Sequence, residues 1–354
     1  MFLRKLQSPG TSTMPKETHI LGVETSCDDT TAAVVSDARR VRSSVAASQD
    51  ELHEQFGGVV PEIACRAHIK SILPVIEKAL ERADTGPEDL HAIAVANTPG
   101  LIGALLIGLT AAKSLSWSLD LPLVPVNHLD AHIYAVWLSQ DEPELPAISL
   151  VVSGGHTSLY YTEGPLTHTL LGHTVDDAAG EAYDKVANIL GLGYPGGPAI
   201  EKAAEDGDPE GMDFPRTWLE EGSLNFSFSG LKTAVLYRCV GQNASKEDIE
   251  NATFTDQFTA DVSASFQEAV VDVLVGKASS AADSYDARSI ILGGGVAANG
   301  YLRDRLHREA EKKGMEFHPA PLEFCTDNAA MVAGIGCRLL NAGKTADLTL
   351  EASP

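Results

Sequence analysis

Apolar and polar positions along the chain first group into strand–turn–strand units. From His19 the run HILGVETSCDDTTAAVVSD is an apolar strand, a polar turn rich in small residues, and a second apolar strand. A helical period follows over 65–83 (CRAHIKSILPVIEKALERA), leading into the strand AIAVAN at 92–97 and the loop TPGLIGAL. The apolar run at 101–119 predicts a long helix, PLVPVN a buried strand, and the histidine-bearing segment after it another helix. Such alternation is the mark of an α/β protein.

Near residue 141 the segment DEPELP interrupts the pattern with two prolines and three acids, as a hinge between halves would. The opening theme then returns in AISLVVSGGHTSLYYTEG, 147–164: strand, tight turn of small residues, strand. Two such hairpins, each heading a half, predict a duplicated architecture. A third glycine turn, in SIILGGGVAANGYLRDRL at 289–306, joins a strand to a helix, and a last helix follows FCTDN at 324–328. The expected layout is an extension over 1–17, a first lobe over 18–145 completed by the helix at 327–342, a second lobe over 146–326, and a flexible tail over 343–354.

Composition narrows the class. A chain of 354 residues, 44% hydrophobic, suits two ordinary domains. Cys27, Cys65, Cys239, Cys325 and Cys337 are scattered without a CxxC pair, which fits a reducing cytoplasm. The first seventeen residues lack the apolar core of a secretory signal and read as a disordered extension or a start upstream of Met14. The run at 101–119 has about the length of a membrane span, but Lys113, four serines or threonines and two glycines argue for a buried helix and no membrane. Forty-nine acids against 26 bases give a net charge of −23, which opposes nonspecific adhesion to nucleic acid or anionic lipid. Action on RNA would then need a partner or a local basic patch, for which Arg66, His68 and Lys70 are the small candidate cluster. A saline habitat would also make so acidic a surface tolerable.

Glycine turns after strands let backbone N–H groups approach phosphate oxygens, so three of them favour a nucleotide cleft. GGGVAA at 293–298 satisfies the dinucleotide fingerprint in form, but it lies far from the first βα unit. The acid expected some 20 residues on is represented only by Glu316, followed at once by Phe317, His318 and Pro319. In VNHLDAHIYA, 126–135, His128 and His132 stand one helical turn apart and face the same way, as two metal ligands would. The metalloprotease pattern HExxH requires a glutamate where this chain has Leu129, and Asp130 lies on another side of the helix, so peptidase chemistry lacks its base. Asp327, at a helix start after a strand, is the most suggestive third ligand, although spacing cannot select it from 49 acids. Two imidazoles and one carboxylate leave coordination positions open, which suits Fe(II) or catalytic Zn(II).

With ETSCDDT, HLDAH, VVSGGHT, GYPGGP, NFSFSGLKT, GGGVAAN and FCTDNAAM in order from about Ile20 to Leu340, the sequence resembles the universal tRNA threonylcarbamoyltransferase family in its bacterial form. The family was once named for a sialoglycoprotein endopeptidase activity. The resemblance implies an actin-like ATPase fold of two related lobes with a nucleotide cleft between them. It implies transfer of threonylcarbamoyl from threonylcarbamoyl-adenylate to the exocyclic amine of the adenosine 3′ of the anticodon, in tRNAs reading codons that begin with A. Cofactors would be one divalent metal, Fe(II) before Zn(II), and an adenine nucleotide, the adenylate itself or ATP; protein partners would be the paralogous subunit TsaB and the ATPase TsaE.

Carried onto this chain, the resemblance makes His128, His132 and Asp327 metal ligands. Val151, Val152, Ser153, Gly154 and Gly155 become a substrate-binding hairpin, and Asp184, Gly197, Glu201 and Asn299 hold the adenylate. HLDAH stands where the family often has HMEGH, and Thr98 where it often has glycine. The leaving group is already activated, so positioning and charge stabilisation carry most of the expected chemistry. Asp28 or Glu24 is the candidate base and Lys232 a candidate charge partner. Rival readings are a small-molecule kinase of the same superfamily and a noncatalytic nucleotide-binding scaffold; a metallopeptidase ranks last.

Overall fold

The protein is described from a computed structural model covering residues 17–139, 141–243 and 252–354. The extension expected over 1–17 lies outside the described residues except for Glu17.

Strands β1 (His19–Glu24), β2 (Thr30–Ser36), β3 (Arg40–Ala47), β4 (Ala92–Thr98) and β5 (Leu123–Asn127) form one sheet in the order β3-β2-β1-β4-β5. Strands β6 (Ala147–Val152), β7 (Thr157–Gly164), β8 (Thr167–His173), β9 (Ser289–Gly293) and β10 (Glu316–Pro319) form the other, in the order β10-β9-β6-β7-β8. Each begins as an antiparallel three-strand meander and continues through two parallel strands. The second sheet thus repeats the first strand for strand, and the duplication expected from the two hairpins is present. Apolar periodicity found the inner pair of each meander but not β3 and β8, because these edge strands carry mixed exposed and buried positions.

Nine α-helices of seven residues or more surround the sheets among the described residues. Helices α1 (Pro61–Ala83) and α2 (Ile102–Leu119) cover one face of the first sheet. α3 (His128–Tyr134) and α9 (Ala329–Asn341) lie on its other face, in a core continuous with the second lobe. That lobe adds α4 (Ala179–Leu190), α5 (Gly196–Ala204), α6 (Ser229–Val240), α7 (Asp256–Ser284) and α8 (Gly300–Lys313). The small residues of α9 let it lie flat on β1, where a side chain at Gly22 would strike the carbonyl of Ala329.

Three expectations need correction. The helix at 101–119 is buried only along Ala104, Leu105, Gly108, Leu109, Ala112 and Ser116, while Trp117 is 75% exposed. It is amphipathic in position though apolar in sequence. The segment 343–354 is not a free tail: Ala346 N donates to Leu123 O at 2.9 Å, and Ser353 N to Asn97 O at 2.9 Å. Its backbone groups find partners on the first lobe, which composition could not reveal. His68 leaves the basic cluster: it is fully buried, with its ring between Thr30 Oγ1 at 2.8 Å and the Cys27 carbonyl at 3.0 Å.

Candidate metal and nucleotide site

Carboxyl ends of parallel strands open onto the cleft of such a fold, and the chemistry gathers there. At the end of β5, Asn127 caps α3, its Oδ1 accepting from Leu129 N at 2.8 Å and Asp130 N at 3.2 Å. The cap starts the helix at His128, which puts His128 and His132 on one face. Asp327 reaches the same point from the loop before α9. His132 Nε2 lies 3.1 Å from His128 Nε2 and 3.1 Å from Asp327 Oδ1, and His128 Nε2 lies 3.5 Å from Asp327 Oδ1. Two ligand atoms each ~2.1 Å from one ion are separated by roughly 3.0 Å at a right angle and roughly 3.4 Å at a tetrahedral angle. The three donors therefore fit a single metal ion. Both histidines are buried, while the Asp327 side chain keeps 20% exposure, so open coordination positions would face the cleft through it.

Outside the three donors, Glu24 accepts from His128 Nδ1 at 2.9 Å and takes Ser26 N on its other oxygen. Ser26 Oγ lies 3.2 Å from the same Nδ1. A carboxylate behind a ligating imidazole fixes its orientation and raises its basicity. Burial pushes His128 down, but Glu24 and Asp327 outweigh it and carry the ring up to about 9. Burial and then His128 hold His132 below its ordinary value, and its Nδ1 has no partner among the described residues. Asp327 is driven well below the carboxylate range because the two histidines overcome its burial. Without a metal, a proton on His128 supplies the positive charge the cluster requires.

The glycines around this point fall into two groups. A side chain at Gly293 would strike the backbone of His132, and Gly294 (φ +93°) lies against the Val152 carbonyl; these glycines serve packing. Gly154, Gly155, Gly197 and Gly295 face open space, as a cradle for a ligand requires. Val151 and Val152 belong to the β6 ladder and the core, so they offer no side chain to a substrate; the exposed part of the hairpin begins at Gly154.

Asp184 Oδ1 accepts from Gly196 N at 2.8 Å and so positions the start of α5, with its carboxyl pushed up to about 6 by burial. Glu201 Oε1 accepts from Gly300 N at 2.7 Å, bracing α8. Asn299 is buried, caps α8 through Leu302 N at 2.8 Å, and donates to Gln267 Oε1 at 2.8 Å.

Of the candidate catalytic groups, Glu24 is fully buried with both oxygens engaged, which suits orientation of His128 and not proton abstraction. Asp28 is half-buried, and burial followed by the charge of Asp327 raises its carboxyl despite a hydrogen bond from Cys27. Lys232 Nζ is 2.8 Å from Asp177 Oδ2, and Lys185, which also pairs with Glu181 at 2.8 Å, shares that carboxylate at 3.0 Å, so Lys232 is engaged in an ion-pair cluster. The FSFSG segment is held nearby by Asp176, which accepts from Ser227 and Ser229 hydroxyls at 2.6 Å.

Sequence reasoning missed His156, whose ring centroid is 6.3 Å from that of His128. Burial and then His128 and His132 hold it neutral, down at about 4. Its signal was its place in VVSGGHT, directly after the open glycines.

Comparison with known proteins agrees with this arrangement. The family model described as TsaD, tRNA N6-adenosine threonylcarbamoyltransferase, matches residues 40–334. A tRNA N6-adenosine threonylcarbamoyltransferase of Moorella thermoacetica is 54% identical over 91% of this chain and 91% of its own. One of Symbiobacterium thermophilum is 52% identical over 95% of each. Among solved structures, HypF of T. kodakarensis aligns with a TM-score of 0.60 at 17% identity, over 92% of this chain and 48% of that one. Component A of the Acidaminococcus fermentans (R)-2-hydroxyglutaryl-CoA dehydratase aligns with a TM-score of 0.50 at 15% identity, over 91% and 98%. These likenesses are of fold, the two-lobed actin-like ATPase architecture. By the match over most of its length, the chain belongs to the tRNA N6-adenosine threonylcarbamoyltransferase family.

Proposed function

We propose that this chain transfers the threonylcarbamoyl group from threonylcarbamoyl-adenylate to N6 of the tRNA adenosine 3′ of the anticodon, releasing AMP. The observation that carries the reading is the convergence of His128, His132 and Asp327 beside open glycine turns, in a chain of that family. His128, His132 and Asp327 would hold one divalent ion, for which we assign Fe(II), with Zn(II) the alternative of the same donor chemistry. When bound, the ion supplies Lewis-acid stabilisation of charge on the carbamoyl and phosphate oxygens.

The remaining steps fall to side chains and backbone. Among the described residues the N–H groups of Gly154 and Gly155 meet no protein acceptor, which supports a phosphate-binding role for that turn. Gly197 and Gly295 would admit the nucleoside, and Asp184 and Glu201 each keep a second oxygen for ribose hydroxyls. The adenine amine forms the new C–N bond as the carbamoyl C–O bond to phosphate breaks. Asp28, half-buried where Glu24 is sealed, is the proposed acceptor of the amine proton.

The acidic surface supports delivery of tRNA with partners, for which we propose TsaB and TsaE. Ile69, Leu73, Leu106 and Trp117 line an apolar groove of about 760 Å³ between α1 and α2, a surface suited to a protein partner. The test is reconstitution: purified chain, threonylcarbamoyl-adenylate and tRNA, with and without both partners, followed by mass analysis of tRNA nucleosides. Absence of the modified adenosine in every combination rejects the reading.

A further inference from the structure

The turn that would receive the nucleotide and the loop that carries Asp327 are separate segments, and one side chain touches both. Arg303, one turn into α8, donates from Nε to the carbonyl of Ala297 in the GGGVAAN turn. Its Nη2 donates to Ala320 O at 2.6 Å, just beyond β10, and to Cys325 Sγ at 3.0 Å, two residues before Asp327. Cys325 is fully buried and cannot yield without moving the loop. Asn328, on the other side of Asp327, is pinned by its bonds to Phe324 O at 3.1 Å and Thr326 O at 2.8 Å. A single planar group thus bridges the nucleotide turn and the metal loop.

We propose that Arg303 is a positioning residue that couples occupancy of the nucleotide turn to the geometry of the metal site. The proposal rests on the adenylate reading of that turn. Lysine cannot replace the residue, because a single ammonium on a flexible stem cannot meet three acceptors that lie in different directions, as a guanidinium fork does. No carboxylate is paired with Arg303 among the described residues, so its positive charge also remains available to favour an anionic ligand nearby.

The experiment measures AMP binding by calorimetry to the full chain, metal-free and Co(II)-loaded, in the wild type and in Arg303→Lys, with the visible Co(II) spectrum recorded alongside. In the wild type, Co(II) should change AMP affinity by roughly fivefold or more, the usual range of coupling between sites. In Arg303→Lys that ratio should collapse towards one, metal affinity should fall by roughly tenfold, and the Co(II) bands should shift when AMP is added only in the wild type. Should the lysine variant not fold, Cys325→Ala decides, since it releases the metal loop while leaving the bonds to Ala297 and Ala320; its ratio should also fall. A wild-type ratio retained in the variants, or a ratio of one in the wild type, overturns the proposal. If the wild type binds neither AMP nor Co(II), the functional reading fails with it, an outcome distinct from binding without coupling.

Discussion

Glu24 and His128, 104 residues apart in the chain, meet at 2.9 Å through Oε2 and Nδ1, and this bond aims His128 Nε2 at Asp327. Glu24 is acting on the ligand and not on the substrate. Glu24→Gln keeps the shape but cannot present an acceptor to both His128 Nδ1 and Ser26 N. Metal affinity should fall by roughly 10- to 100-fold, read by competition with a chelator. An unchanged affinity would remove Glu24 from the metal site.

The metal-free protein should carry a pH signature. His128 sits at about 9 when folded against an ordinary 6.5, so its stabilising proton is fully present below about 6.5 and is lost as pH rises towards 9. His68, His132, His156 and His168 are displaced downwards and act below 6.5. Asp29, raised to about 7 by burial and then Asp28, has completed its contribution near the bottom of the window. The thermal midpoint of chelator-treated protein should therefore fall between pH 7 and 9. With metal bound the fall should be smaller, because the ion replaces the His128 proton. That leaves the thiols of Cys27, Cys239, Cys325 and Cys337, held above their ordinary value by burial, to lower stability only as pH nears 9. Parallel slopes with and without metal, by scanning calorimetry, would contradict this.

Glycine substitutions should separate folding from binding. Gly294→Ala meets both a left-handed backbone and the Val152 carbonyl, and should destabilise by roughly 2 kcal/mol or more in denaturant titrations. Gly155→Ala meets open space and should leave stability within about 1 kcal/mol. It should instead weaken AMP binding by roughly tenfold, about the worth of one hydrogen bond to a charged group. If both variants lost stability equally, the division of the glycines would be wrong.

Asp28→Asn tests the base. The side chain is only half-buried and its proton affinity is raised, whereas Glu24 is sealed behind His128. Single-turnover transfer should slow by roughly 100-fold or more with adenylate affinity unchanged. A rate within a few-fold of wild type would direct the search elsewhere, with His156 next in position.

Periodicity made the hairpins, the histidine pair and the glycine turns legible, because each is written within a few consecutive residues. Asp327 was legible as a candidate only: 195 residues separate it from His132, and no local pattern distinguishes it from other acids. Glu24 was visible as an acid in ETSCDDT, but its role depends on a contact made by folding. Asn299 and Lys232 were legible by residue type alone. Residue type suggests ligand chemistry, whereas their hydrogen bonds to Leu302, Gln267 and Asp177 engage them within the fold. His68 misled, since its partners come from β2 and from the turn before it.

The carboxyl-terminal segment was the least legible part, and its contacts make a last prediction. Lys113 Nζ donates to the Leu350 carbonyl, Asn97 Nδ2 to Glu351 O at 3.2 Å, and Ser353 N to Asn97 O at 2.9 Å. Asn97 lies near the end of β4, directly before the Thr98–Leu101 loop, where Leu101 N donates to Ser26 O at 2.8 Å. The segment thus closes over the strand end whose loop supports the Glu24–His128 pair from behind. Removing residues 348–354 deletes the three hydrogen bonds that tie it to Lys113 and Asn97, at about 1 kcal/mol each, and uncovers Leu109, so stability should drop by about 3 kcal/mol or more. Metal affinity should change less than in Glu24→Gln, because Ser26 keeps its bond to Glu24. An unaltered unfolding midpoint would show that these contacts contribute nothing. A loss of metal binding larger than that of Glu24→Gln would place the segment within the support of the site itself.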